Sequence, residues 1–225
     1  MILLSRLSLI ILLCAYMNLG TAFARCGSHK PHSFISYEVE DTEYIITKNV
    51  RGLTAMHGRF GAGNVLGLAG GEVGARLVAE FELKHERGDK YCLYVDKVDT
   101  VFFAQPKVYI ANNFKKDTCE YSQVLKHEEK HVDTLIKAHR EYMSKFRSHM
   151  RWSVRDLPVL EPMTIDEAHE KRAFFINIIS GHITSFIQKI NEDVAQRQKK
   201  VDSKGEYERV LNNCSRWDEK IQGKR

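Results

Sequence analysis

From Val124 to Val132 the chain reads Val-Leu-Lys-His-Glu-Glu-Lys-His-Val, with His127 and His131 four residues apart and Glu128 directly after the first. On a helix that spacing leaves the two imidazoles only about 40° apart, nearly on one face. Both rings can then reach a single Zn²⁺ at about 2 Å each. Glu128 projects beside the ion. A carboxylate suffices there as a base, because zinc lowers the pKa of a bound water from about 15.7 to near 7. The chemistry of such a cluster is hydrolysis of an amide or peptide bond. A chance HExxH is expected in roughly 3% of shuffled chains of this composition. One feature points the other way: Glu129 and Lys130 are charged, whereas a helix that buries such a site is usually apolar between the ligands. The competing reading is a solvated ladder of charges with no metal.

The motif needs a helix to carry it, and the surrounding pattern supplies one. Asp117 is placed to cap a helix, with Glu120 three residues on, and no Gly or Pro interrupts the chain as far as Met150. Leu125, Val132 and Ile136 give that helix an apolar stripe. A connector with two prolines, Arg155 to Pro162, precedes a second capping box at Thr164–Glu167. The helix it opens can reach Val201, with Gly181 as a candidate bend. Ser203-Lys204-Gly205 breaks the pattern, and Glu206 to Trp217 reads as a short last helix. Residues 33–112 are strand-like instead. Phe34 to Val39 and Tyr44 to Thr47 are short β-rich runs, and Leu77, Ala79, Phe81 and Leu83 alternate as in a half-buried strand. A polar loop, His85 to Lys90, separates that strand from returns at Tyr91 to Phe103 and, after Pro106, Lys107 to Ile110. The fold class expected is α+β, antiparallel strands first and long helices after.

The first 24 residues differ from the rest. One cation, Arg6, precedes an apolar run, and Ala22-Phe23-Ala24 ends it, the layout of a secretory signal peptide cut after Ala24. The apolar run is short for a bilayer span of about 20 residues, so no stable membrane insertion is expected after cleavage. Arg25 before Cys26 argues against a lipid-anchored start. The expected organisation is a signal peptide, 1–24, and one domain, 25–225, strand-rich over 25–116 and helical over 117–225. The destination is the periplasm or the medium. Cleavage leaves Cys26, Cys92, Cys119 and Cys214, an even number, which reads as two disulfides. Three pairings are open. Cys92–Cys119 with Cys26–Cys214 is favoured, the second tying the two ends of the mature chain. The net charge of +5 is mild, and no Lys/Arg run interleaved with aromatics suggests a nucleic-acid groove. Lys199-Lys200 reads as a solvated helix face.

An ordered set of segments resembles the secreted zinc-dependent proteases of bacteria. It comprises a glycine-rich stretch, Tyr91-Cys92-Leu93-Tyr94-Val95-Asp96-Lys97-Val98, Pro106, Cys119-Glu120-Tyr121, and Leu125 to His131. A weaker match covers Gln198 to Tyr207. The resemblance implies a zincin-like fold, a Zn²⁺ cofactor and a peptide or protein substrate. Members often close with a Tyr-Asp…His-Gly element that looks like a source of the third ligand. Here that stretch runs Val201-Asp202-Ser203-Lys204-Gly205-Glu206-Tyr207, with no histidine. Its position makes Glu206 the expected third ligand, with Glu170 on the preceding helix as the alternative. Tyr207 is then a candidate donor to the developing oxyanion, and Asp202 a candidate orienter of a ligating imidazole. His139 lies about 12 Å along the helix from His131, too far to join the ion. His169 and His182 read as surface histidines.

The segment Gly58 to Gly74 holds seven glycines, and its Gly61-x-Gly63 pair has the look of a phosphate loop. No Gly-Lys-Ser/Thr follows, so a flexible loop or close-packed turn flanking the substrate cleft is expected. Two functions follow for the whole. One is a metallopeptidase with Glu128 as base. The other is a non-catalytic envelope protein that keeps the fold and binds a peptide or cell-wall partner. The presence of a third ligand separates them.

Overall fold

The computed structural model describes residues 25–58 and 63–222. The expected signal peptide, 1–24, lies outside the described residues, as does Gly61. Four strands form one sheet: β1 (His32–Val39), β2 (Glu43–Ile45), β3 (Gly67–His85) and β4 (Tyr91–Ile110). A short helix, α1 (Val50–His57), sits between β2 and β3, and four helices follow: α2 (Cys119–Arg155), α3 (Ile165–Val201), α4 (Lys204–Asn212) and α5 (Trp217–Ile221). Mixed strands first and long helices after make this an α+β chain.

β4 is the spine of the sheet. β3 pairs antiparallel along its whole length, from His85↔Tyr91 to Gly67↔Ile110, through the expected polar loop. Gly88 takes a left-handed φ of 65° in that loop. On the other edge of β4, β1 and β2 lie one after the other and both run parallel to it, His32↔Lys97 and Glu43↔Lys107 marking the register. The expectation of antiparallel strands throughout is therefore corrected. Parallel neighbours need a crossover connection, and α1 with β3 provides it.

Two further expectations change within the hairpin. The glycine-rich segment is partly strand: from Gly67 onward it is the start of β3. Pro106 does not split β4, although a proline has no N–H for the ladder and is unusual in a central strand. Gly71 stands opposite it at φ 132°, and a Cβ there would come within 3 Å of the Pro106 and Gln105 backbone. The glycine lets the two strands pass the proline.

Thr118, not Asp117, caps α2, its side chain accepting from the Tyr121 N–H at 3.3 Å. Asp117 instead adopts φ 68° and turns the chain into the helix. α2 runs 37 residues, past Met150 to Arg155. Thr164 and Glu167 form the expected capping box of α3, which runs unbroken through Gly181 to Val201. α4 ends at Asn212, so Trp217 belongs to the separate short α5.

Both long helices cover one face of the sheet. Phe102, Leu93 and Val73 from the sheet pack with Leu135, Phe146 and Met150 of α2 and Phe175, Ile179 and Ile190 of α3. A second cluster joins Leu53, Ile110, Phe114, Val124, Val132, Val210 and Trp217. α2 belongs to both, and His127, Glu128 and His131 lie where one cluster gives way to the other. They are 7%, 4% and 5% exposed.

The cysteines pair as Cys26–Cys92 and Cys119–Cys214, correcting the favoured pairing. Parallel pairing explains the first. Extending the β1–β4 register toward the N-terminus carries Cys26 alongside Cys92. The second follows from α4 docking on the start of α2, where Arg209 and Asn213 both donate to the Gln123 side chain.

Candidate metal centre

α2 presents His127 and His131 to the same point, as their spacing dictates. Their Nε2 atoms are 3.3 Å apart. A third atom joins them from the C-cap of α3: Asp202 Oδ1 lies 3.1 Å from His131 Nε2 and 3.3 Å from His127 Nε2. A tetrahedral ion with bonds of 2.0–2.1 Å needs its ligand atoms about 3.3 Å apart. The triangle has that edge on all three sides. Two imidazole nitrogens and a carboxylate oxygen form a donor set suited to a divalent metal. His127, Glu128 and His131, all buried, also offer ligand atoms within 4.8 Å of one another. The site can hold a metal ion.

Both rings are held with Nε2 turned inward. His131 Nδ1 meets the Gln198 side-chain oxygen, while the Gln198 amide donates to the His131 carbonyl at 3.0 Å. That reciprocal pair fits a proton on Nδ1 and turns Nε2 toward His127 and Asp202, where it can serve as a ligand atom. His127 Nδ1 faces Glu206 Oε1 at 3.4 Å. Glu206 is itself clamped, by Arg209 Nη2 at 2.7 Å and by Lys130 Nζ at 2.7 Å. Arg209, opposed by partial burial and helped by Lys130 and His127, holds the Glu206 carboxyl well below the usual range, so it stays ionised as an acceptor.

Glu206 and Asp202 thus exchange the positions expected of them. Glu206, expected as third ligand, is turned to the outer nitrogen of His127 and has both oxygens occupied by cations. Asp202, expected behind a ligand, stands with the inner nitrogens. The charged Lys130 inside the motif also finds its place as the clamp on Glu206. Glu170 is exposed and lies 32 residues before Asp202 along α3 and its cap, about 48 Å away on a helix. It is not brought to the site. His139 is buried against Phe102 and bonds its carbonyl at 3.1 Å. Tyr207 opens α4, donates to Asp202 Oδ1 at 3.1 Å and packs its ring on His127.

Glu128 points from the same helix face toward β3. A Cβ on Gly67 would come within 3 Å of its carboxylate and within 2.6 Å of Val124 Cγ1. Only glycine lets the strand lie this close. Burial raises the Glu128 carboxyl to about 7, with His127, His131 and the Ala69 backbone amide partly offsetting it. That amide belongs to a free edge. Ala111 N–H bonds Leu66 O at 3.0 Å, so by alternation the Gly67 and Ala69 backbone groups point away from β4. They border a cleft of about 540 Å³ that also reaches His127, Glu128, His131, Asp202 and Tyr207.

Sequence reasoning missed Gln198, Arg209, Lys130 and His57, the last on the rim of the same cleft. The spacing Gln198, Asp202, Glu206, four residues each, is the signal that could have found the first. It marks one polar group in the last turn of α3, one at its cap and one in the first turn of α4. Comparison with protein-family models, curated proteins and solved structures found no match to this chain.

Proposed function

We propose that this protein is an exported zinc-dependent metallopeptidase of zincin-like arrangement. His127, His131 and Asp202 would hold the metal and Glu128 would act as general base. One observation carries the reading. Three donor atoms from two distant segments converge on a 3.1–3.3 Å triangle, beside a buried carboxylate and an open cleft. Zinc suits two imidazoles and a carboxylate, and when bound it would polarise the scissile carbonyl and acidify a water.

The chain's own residues do the rest. Glu128 accepts a proton from the attacking water on its carboxylate and returns it to the leaving amine. Glu206 and Gln198 keep both histidines in the Nδ1–H form. Tyr207 lines the cleft, and its O–H, which donates to Asp202 in the free protein, would turn from it to donate to a developing oxyanion. The outward carbonyl groups of Gly67 and Ala69, beside the Ala69 amide that serves Glu128, can pair with an extended peptide laid along the free edge of β3. The two disulfides suit an oxidising compartment, and among the described residues no helix is long and apolar enough to cross a membrane. The rival reading, a non-catalytic binding protein, rested on a missing third ligand, and Asp202 weakens it.

Glu128→Gln tests the proposal. The variant should bind one zinc per chain as the wild type does, yet cleave a broad peptide library 10²–10⁴-fold more slowly. Equal cleavage by the two would remove Glu128 from the chemistry.

A further inference from the structure

The cleft has two unlike ends. At one end stand the metal-facing groups. The rest is mostly apolar, Val65, Leu66 and Leu68 of the β3 side, Val124 of α2, and Val210 and Leu211 of α4, with His57 and Asn64 as its polar members away from the histidines. Among the described residues no Lys or Arg lines it, and its acids are Glu128 and Asp202. The nearby cations, Lys130 and Arg209, are engaged with Glu206 on the outer side of His127. Leu211 is 46% exposed at this wall although it is a large apolar side chain. At about 540 Å³ the cleft is within the usual range of about 300–1,000 Å³ for ligand sites.

We infer that the cleft selects a peptide with an apolar side chain of Leu, Met or Phe size next to the cleaved bond, and rejects an acidic one there. The inference rests on the metallopeptidase reading and names its substrate class. An apolar side chain leaves water for a wall that is itself apolar. An acidic one meets two carboxylates and, among the described residues, no cation that is not already engaged with Glu206. A basic one loses its hydration against valines and leucines, with both acids committed to the site.

Binding reads this independently of turnover. The oxidised, zinc-loaded protein would be titrated calorimetrically with acetyl-aminoacyl hydroxamates whose side chain is Gly, Leu, Phe, Lys or Asp. The metal-binding head is the same in all five, so differences report the wall. The Leu and Phe compounds should bind about 10–100-fold tighter than Gly, and Asp more weakly than Gly. Leu211→Asp should bring the Leu-to-Gly ratio near one while zinc stays at one per chain, and Leu68→Asp provides a second variant should the first not fold. A Leu-to-Gly ratio near one in the wild type, or a preference for Asp, overturns the assignment. Cleavage of a peptide library without apolar preference, together with that flat ratio, sinks the cleft assignment and leaves proteolysis standing. Tight, side-chain-selective binding with no peptide cut does the reverse. If no hydroxamate binds and no peptide is cut, both fall; if peptides are cut but no hydroxamate binds, the cleft assignment alone falls.

Discussion

At the scale of single residues, the site turns on which carboxylate faces which nitrogen. Asp202 shares the inner side with both Nε2 atoms, while Glu206 faces the outer nitrogen of His127. Asp202→Ala should therefore lose zinc as badly as His131→Ala. Glu206→Ala should keep it with about 10–100-fold lower affinity, the usual effect of removing a group that orients a ligand. Competition with a chelator measures both, and a Glu206→Ala chain devoid of zinc would reverse the assignment. His139 offers a second residue-scale test. Burial, helped by Arg140 and opposed by the Phe102 carbonyl, lowers its pKa, and its Nδ1 has no hydrogen-bond partner among the described residues. With the folded pKa below the unfolded value of about 6.5, His139 is neutral in both states at pH 7.5 and costs nothing. As pH falls below 6.5 the unfolded chain takes up a proton that the folded chain resists, and stability drops. His139→Gln keeps a donor to Phe102 without titrating. Urea midpoints should thus fall less between pH 7.5 and 5 in the variant than in the wild type; identical drops would clear His139.

Elements position these residues, and they differ in how well the sequence announces them. The motif helix and the Thr164 capping box are legible, because caps and apolar stripes are local features read within a turn or two. The strand β3 from Gly67 to Gly74 is not. Its pattern of small residues carries no alternation, since what it offers is backbone brought close to Glu128 and past Pro106. The parallel course of β1 and β2 is equally hidden, because register between segments some 60 residues apart leaves no mark in either alone. The favoured disulfide pairing failed for the same reason. Asp202 and Glu206 are both visible as candidates, but choosing between them needs the pose of the His127 ring, which only the fold supplies. Gly67→Ala tests the strand's role. Its Cβ would press on Glu128 and Val124, costing about 1–3 kcal/mol as overpacked sites do. Displacement of the base should also slow hydrolysis about 10²-fold, with zinc retained. Gly70→Ala, with nothing within 4 Å of its Cβ, is the control and should stay within about 0.5 kcal/mol. Equal effects of the two substitutions would show that the close approach at Gly67 has no part in activity.

On the scale of the whole molecule, the site joins two stretches far apart in sequence, 127–131 and 198–207. Packing of α3 on α2 aligns Gln198 and Asp202 with the histidines. α4, which brings Glu206, Tyr207 and Arg209, is short and has one buried residue of its own, Val210. The Cys119–Cys214 bridge just past its end ties it covalently to the start of the motif helix, beside the polar contacts of Glu206 with Lys130 and of Arg209 with Gln123. Cys26–Cys92 lies elsewhere, fixing the N-terminal segment to the start of β4. The two bridges span 95 and 66 residues, so their loop-closure contributions differ by only about 0.3 kcal/mol. Removing either pair should therefore cost a similar amount of stability, about 2–5 kcal/mol. Their effects on the metal should diverge. In Cys119→Ser/Cys214→Ser, α4 is free to lift away, His127 loses its Glu206 partner, and zinc affinity should fall by the same 10–100-fold as in Glu206→Ala. In Cys26→Ser/Cys92→Ser the four residues facing the rings stay in place, and zinc should bind as in the wild type. Denaturation and chelator competition on both double variants, at a temperature where each is folded, separate the two effects. Equal loss of zinc in both would mean that the bridges act only through global stability, and that packing and the polar contacts of Glu206 and Arg209 hold α4 to the motif helix without the bridge.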